Sequence, residues 1–187
     1  MRMPFLVGET IYLRPLESDD GPDAARWFRG AETEGRLAGG LPVSEEAARR
    51  LIETLTRDER QVGIAVARRA DDRLVGVIRL YRLNPQRRSG GYRLALAPTS
   101  DLGRGGVDAI TQEATRLVLA YAFETLNLNR IYLHGFASDR AARTRYEKVG
   151  FTEEGILRQE AFQDGRYEDV VVMGILREEW ARRAPSR

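Results

Sequence analysis

The run from Arg130 to Trp180, RIYLHGFASDRAARTRYEKVGFTEEGILRQEAFQDGRYEDVVVMGILREEW, constrains the fold more than any other part of the chain. Ile131, Leu133 and Gly135 alternate with Tyr132, His134 and Phe136, the period of a strand with two unlike faces. Ser138 and Asp139 are strong helix N-caps, and Gly150 is placed to stop the helix they open. Gln163-Asp164-Gly165-Arg166 is an Asp-Gly turn between two apolar-rich runs, which predicts a hairpin. Strand, helix and two long strands therefore follow one another, and everything before Arg130 reads as the scaffold that completes this unit.

That scaffold is legible in the same terms. Thr10–Leu16 is a short strand with Ile11 and Leu13 on one face. Ser18-Asp19-Asp20 caps a helix expected to run to about Arg29, with Trp27 and Phe28 as apolar anchors. Gly30–Pro42 is glycine-rich and reads as a loop carrying Glu32 and Glu34. Ser44-Glu45-Glu46 opens a second helix with Leu51, Ile52 and Leu55 inward. Val62–Ala67 and Leu74–Leu83 are strands joined at Ala70-Asp71-Asp72, and Tyr92–Ala97 is a third strand of that sheet. Thr99–Asp108 is a glycine-rich bend leading into a long helix, on which Ile110, Ala114, Leu117, Val118 and Tyr121 mark the buried face. The order is that of a mixed α/β sheet with helices on both faces. A strand, a glycine bend and a helix N-terminus in succession make a ready anion site.

A chain of 187 residues fits one domain and can bury roughly 70% of its unfolded surface without disulfides or a structural metal. With no cysteine, disulfides, thiolate catalysis and Cys-ligated zinc are excluded. No apolar run approaches the ~20 residues needed to cross a bilayer, and the first ten residues lack a signal-peptide h-region. The expectation is a cytoplasmic protein without a membrane partner. Lys148 is the only lysine among 30 basic residues. GC-rich coding accounts for that bias, as does the better fit of guanidinium forks to phosphates and carboxylates.

LRPLESDD at Leu13–Asp20, RYEKVGF, DGRYEDVVVMG and LREEW together resemble the GCN5-related N-acetyltransferase (GNAT) superfamily, and within it the ribosomal-protein-alanine N-acetyltransferases. The resemblance covers residues 1–180 as one domain and leaves 181–187 as a polar tail. It implies a single, mostly antiparallel sheet splayed between its fourth strand (Tyr92–Ala97) and fifth (Arg130–Phe136). The pantetheine arm of an acetyl-CoA or other acyl-CoA cosubstrate would insert there, with no metal. The resemblance makes Tyr146 the acid that protonates the departing thiolate, chemistry a phenol of pKa ~10 can perform; the plainer alternative is a core aromatic beside Ala142 and Val149. The fourth strand would hold the oxyanion through backbone N–H groups. The family's pyrophosphate motif is Gln or Arg, two residues, Gly, one residue, then Gly or Ala. Aligned on its glycines, this chain has Leu102 first, keeps Gly105 and ends on Val107. The cofactor-binding set is Leu96, Leu102, Gly103, Arg104, Gly105, Gly106, Asp139 and Arg143. Asp139 stands where relatives commonly have Asn, and Arg143 with Arg140 and Arg145 would meet a 3′-phosphate.

For the general base the candidates are Glu32, Glu34 and His134. Asp169 matches a carboxylate of the branch and serves equally well to hold the hairpin; Tyr92 and Tyr167 are expected to line the acceptor pocket. The acceptor would be a primary amine of a peptide N-terminus or of a small molecule. The altered pyrophosphate bend and the arginines at 87–88 and 140–145 leave two alternatives, an aminoacyl-tRNA donor and a non-catalytic binding module. The oligomeric state stays open, a homodimer included.

Overall fold

The computed structural model describes residues 3–23, 44–58, 60–103, 105–163 and 165–183. Eight strands form one sheet: β1 (Leu6–Val7), β2 (Ile11–Pro15), β3 (Val62–Arg68), β4 (Leu74–Asn84), β5 (Ser89–Leu96), β6 (Arg130–Phe136), β7 (Thr152–Gln163) and β8 (Arg166–Leu176). Their spatial order is β1-β2-β3-β4-β5-β6-β8-β7. Every neighbouring pair is antiparallel except β5–β6, which is parallel. The longer described helices are α1 (Glu45–Arg57), α2 (Gly106–Ala120), α3 (Arg140–Val149) and α4 (Arg177–Arg183); Thr99–Leu102, expected to open the glycine bend, is a single helical turn, and Tyr121–Thr125 prolongs α2 as a π-helical turn.

The parallel pair follows from the connection. After β5 the chain bends at Gly103–Gly106, runs up α2 and re-enters the sheet as β6, a crossover that returns the strand in the same direction. α2 and α3 cover one face of the sheet, and their apolar stripes (Ile110, Ala114, Val118, Val149) join Ile78, Leu94, Ile131, Met173 and their neighbours in the larger core. α1 lies on the other face, where Ile52 packs with Leu16, Ala65, Leu74, Val77 and Ala97 in a smaller core. Among the described residues, that second face is roofed over the β2–β4 side. Beyond it, Arg93 and His134 are exposed, and this part is called the open face below.

Local signals act as expected at three points. Ser44 caps α1 by accepting from the Ala47 N–H at 3.1 Å. Asp139 caps α3 by accepting from the Ala142 N–H at 2.8 Å, and Gly150, at φ +119°, stops it in the left-handed conformation. Gln163 pairs with Arg166, closing a two-residue hairpin turn with Gly165 at φ +80°. Other boundaries differ. β1 is an added edge strand, and β5 begins at Ser89 rather than Tyr92, because Ser-Gly-Gly has no side-chain pattern to announce a strand. α4 runs to Arg183, three residues into the stretch expected to be tail; its Trp180 packs on Phe123 at 6.3 Å between ring centroids. Ser18–Asp20 forms a 3₁₀ turn and residues 21–23 are helical, after which the helix expected to reach Arg29 passes outside the described residues. Trp27 and Phe28 lie outside the described residues.

Candidate active site

The sheet opens between β5 and β6. They pair only at Ser89–Arg130, Gly90–Ile131 and Gly91–Tyr132, whereas β6 stays paired to β8 along its whole length up to Phe136. From Tyr92 onward β5 therefore faces a gap. The hydrogen-bond phase shows what each wall offers. The Ala97 N–H donates to Val75 O at 2.9 Å, so Ala95 and Arg93, two and four residues earlier, give their backbone groups to β4. Leu94 and Leu96 turn theirs into the gap. Likewise the Ala137 N–H donates to Asp169 O at 2.9 Å, so Gly135 and Leu133 serve β8 while His134 and Phe136 face the gap. Two strand edges with unspent donors and acceptors suit an extended amide-bearing chain laid between them.

On the helix side the gap is floored by aromatic rings. Tyr92, Tyr146 and Phe151 form a triangle with centroid separations of 6.2, 5.8 and 6.4 Å. Tyr146 projects from α3 and is half-buried. Tyr92 is buried, and its hydroxyl shares a 2.8 Å hydrogen bond with the Thr115 hydroxyl on α2. Burial, reinforced by Tyr146, pushes the Tyr92 phenol well above its usual range. Tyr92 is thus a core residue of the helix face and not part of an acceptor pocket. Tyr167 sits exposed against Phe162 toward the hairpin tip.

The glycine bend lies at the end of β5. Gly103 and Gly105 have φ of +77° and +74°, a region closed to most side chains, and a Cβ on either would meet no atom within 4 Å, so the bend's surface is open. Gly105 begins α2 with no side chain capping it, which leaves the helix N-terminus open to an anion. The acid in that first turn, Asp108, is paired with the nearly buried Arg145 at 3.3 Å. Leu102 packs against both cores. Arg104 lies outside the described residues.

Two other members of the predicted set have their polar groups engaged. Asp139 serves as the α3 cap. Arg143 donates to Ala137 O at 3.0 Å and approaches Glu153 at 3.6 Å, although its buried Nε has no partner among the described residues. Asp169 accepts from the Gln159 N–H at 2.8 Å and fixes the bulge of β7, where Gln159 has φ +53°. Holding the β7–β8 hairpin is one of the two roles the sequence left open for it.

His134 points to the open face. Its Nδ1 is 3.3 Å from the Tyr81 hydroxyl and its ring stands edge-on to Tyr132 at 5.6 Å. Burial lowers its pKa, with Arg82 as the next cause and Arg93 and Arg130 adding to it; Glu160 opposes. The imidazole is consequently neutral near pH 7 and able to accept a proton. Tyr81 lies across Gly91, whose Cβ would come within 2.4 Å of the ring. Glu32 and Glu34 lie outside the described residues. Sequence reasoning missed the rest of this face, namely Arg79, Tyr81, Arg93 and Tyr132. The alternation of Arg79 and Tyr81 with buried Ile78 and Leu80 was the available signal.

Known proteins share this arrangement. A family model described as an acetyltransferase (GNAT) domain matches residues 10–152. The spermidine N(1)-acetyltransferase of Vibrio cholerae is 36% identical over 115 residues, 62% of this chain; the match spans 64% of that enzyme, under two thirds of its length. YdaF of Bacillus subtilis, by name a candidate ribosomal N-acetyltransferase, is 30% identical over 93% of this chain and 95% of its own. A crystal structure of the Vibrio cholerae spermidine enzyme with CoA and spermine superposes at a TM-score of 0.80, with 28% identity over 93% of this chain and 99% of that one. A sheet split between two parallel strands, an open glycine bend beneath a helix N-terminus, and these likenesses lead to one assignment: the chain belongs to the GNAT acetyltransferase family and is an enzyme of the N-acetyltransferase class.

Proposed function

We propose that the protein transfers an acetyl group from acetyl-CoA to the primary amine of a small molecule or a peptide N-terminus. The observation that carries this reading is the gap beside β5, walled by the unspent backbone groups of Leu94, Leu96, His134 and Phe136. Acetyl-CoA supplies the acetyl thioester. The open bend at Gly103 and Gly105 suits its phosphates, the departures at Leu102 and Val107 notwithstanding; the Gly103 and Gly106 N–H groups donate to Thr99 O and Gly103 O at 3.1 and 3.2 Å, so the uncapped start of α2 does the binding there. The gap-facing N–H groups of Leu94 and Leu96 are placed to stabilise negative charge on a carbonyl oxygen. Tyr146 Oη holds the proton for the leaving sulfur, and neutral His134 Nε2 takes one from the incoming ammonium, directly or through water. The helix face is closed by Tyr92, Tyr146 and Phe151, so the acceptor enters over the open face. An aminoacyl-tRNA donor is not favoured, because three of the arginines that suggested it are engaged: Arg88 with Asn127, Arg145 with Asp108, Arg143 with Ala137 and Glu153.

The test is a titration with acetyl-CoA followed by thermal denaturation, since a ligand of the native state must raise the melting temperature. It is coupled to release of free CoA in the presence of amine acceptors. An unmoved melting temperature at millimolar acetyl-CoA refutes the reading.

A further inference from the structure

The open face carries a pairing that β-sheets normally avoid. Arg79 on β4 and Arg93 on β5 are direct register partners, about 5.5 Å apart at Cα for a hydrogen-bonded antiparallel pair. Like charges placed directly opposite destabilise a ladder. Among the described residues neither guanidinium forms an ion pair, and the Asp58 carboxylate acts on Arg79 only from a distance. Arg79 Nε donates to Gln61 Oε1 at 2.6 Å. Gln61 in turn binds Asp58, whose carboxylate also accepts the Arg60 N–H at 2.9 Å. Burial and then the Arg93 charge hold the Arg79 pKa down, so the repulsion is felt. Arg82 adds a further exposed cation on β4, whereas Arg130 is paired with Glu154. Among the described residues, Glu160 is the carboxylate that acts on His134.

The position matters as much as the charge. Arg93 lies between Tyr92, where β5 and β6 part, and Leu94, whose backbone faces the gap. Its side chain stands beside the entrance, with the Tyr81–Tyr132 pair (6.1 Å between centroids) and His134 flanking it.

We infer that the acceptor amine carries an oxyanion, a carboxylate or a phosphate, which docks between Arg79 and Arg93 and completes the charge pattern of the open face. This deepens the proposed acetyl transfer and rests on it. It also separates this chain from its spermidine-acetylating relative, because a polycation would meet two guanidiniums that form no ion pair among the described residues.

The experiment compares acceptors in matched pairs at saturating acetyl-CoA: tyrosine against tyramine, O-phosphoethanolamine against ethanolamine, with spermidine alongside. In at least one pair the anionic member is expected to have the higher kcat/KM by about tenfold or more, as charge-assisted contacts allow, with spermidine below both members. Whichever pair responds identifies the oxyanion as carboxylate or phosphate. Arg93→Gln, at an exposed position where folding is not at stake, should bring that ratio to within about threefold of unity, and Arg79→Gln should do the same. The inference falls if neutral amines or spermidine match the anionic ones in both pairs. It also falls if the preference survives both substitutions, or if no anionic amine is acetylated while acetyl-CoA still raises the melting temperature. A melting temperature that acetyl-CoA does not move removes the acetyl-transfer reading itself, a separate result.

Discussion

The Tyr146 hydroxyl is the smallest unit on which the proposed chemistry turns, and it can be removed without disturbing its surroundings. Tyr146→Phe keeps the ring that packs on Tyr92 and Phe151 and deletes only the proton donor. The expected outcome is a fall in kcat of about 10²–10⁴-fold with the acetyl-CoA-induced rise in melting temperature retained; full activity would end the acid assignment. His134 gives a pH prediction. Its pKa is depressed by burial and by Arg82, so the acid limb of kcat/KM should lie below the ordinary imidazole value of about 6.5, and His134→Gln should abolish that limb. The same shift bears on stability. A base whose folded-state pKa is depressed binds its proton more readily when unfolded, so stability is full above the unfolded pKa and is lost as pH falls toward the folded one. His134→Gln should therefore flatten the acid side of a plot of melting temperature against pH.

Between residues and the whole sheet, single contacts fix whole elements. α3 depends on its first residue: Asp139→Ala leaves the Ala142 N–H without its partner and should cost about 1 kcal/mol in a urea titration, tilting the helix that carries Tyr146. β2 is joined to the 3₁₀ turn after it by a bidentate pair in which Arg14 donates to both oxygens of Asp20, at 2.6 and 2.8 Å, with both side chains nearly inaccessible. Asp20 also accepts the Glu17 N–H at 2.9 Å. Asp20→Asn would leave the Arg14 charge uncompensated and should cost roughly 3–5 kcal/mol, read as a lower urea midpoint at unchanged slope. At this scale the sequence was most legible where one residue type has one physical use. Asp139, Gly150 and Gly165 announced a cap, a stop and a turn because local geometry alone decides those positions. The start of β5 at Ser89-Gly90-Gly91 was not legible, because those glycines are strand only by virtue of Tyr81 lying over Gly91 and β6 pairing beside it.

Across the whole molecule, β1–β5 and β6–β8 are two half-sheets held by three register pairs and by α2 and α3 packed across them. A ligand in the gap would tie the halves together. At 100-fold over its Kd, acetyl-CoA should stabilise the fold by about 2.7 kcal/mol, a rise in melting temperature of about 5–10 °C for a chain of this size. Periodicity and punctuation alone determined the order of β2–β8, the hairpin and the caps of α1 and α3, and the motifs around RYEKVGF resembled a family to which the chain does belong. Those are local properties, set within a few residues of chain. Tertiary structure alone decided that Tyr92 joins Tyr146 in the floor, that Asp169 holds a bulge, and that Arg79 meets Arg93. Each of those depends on register between strands, and register is fixed by the packed sheet rather than by either strand's own sequence.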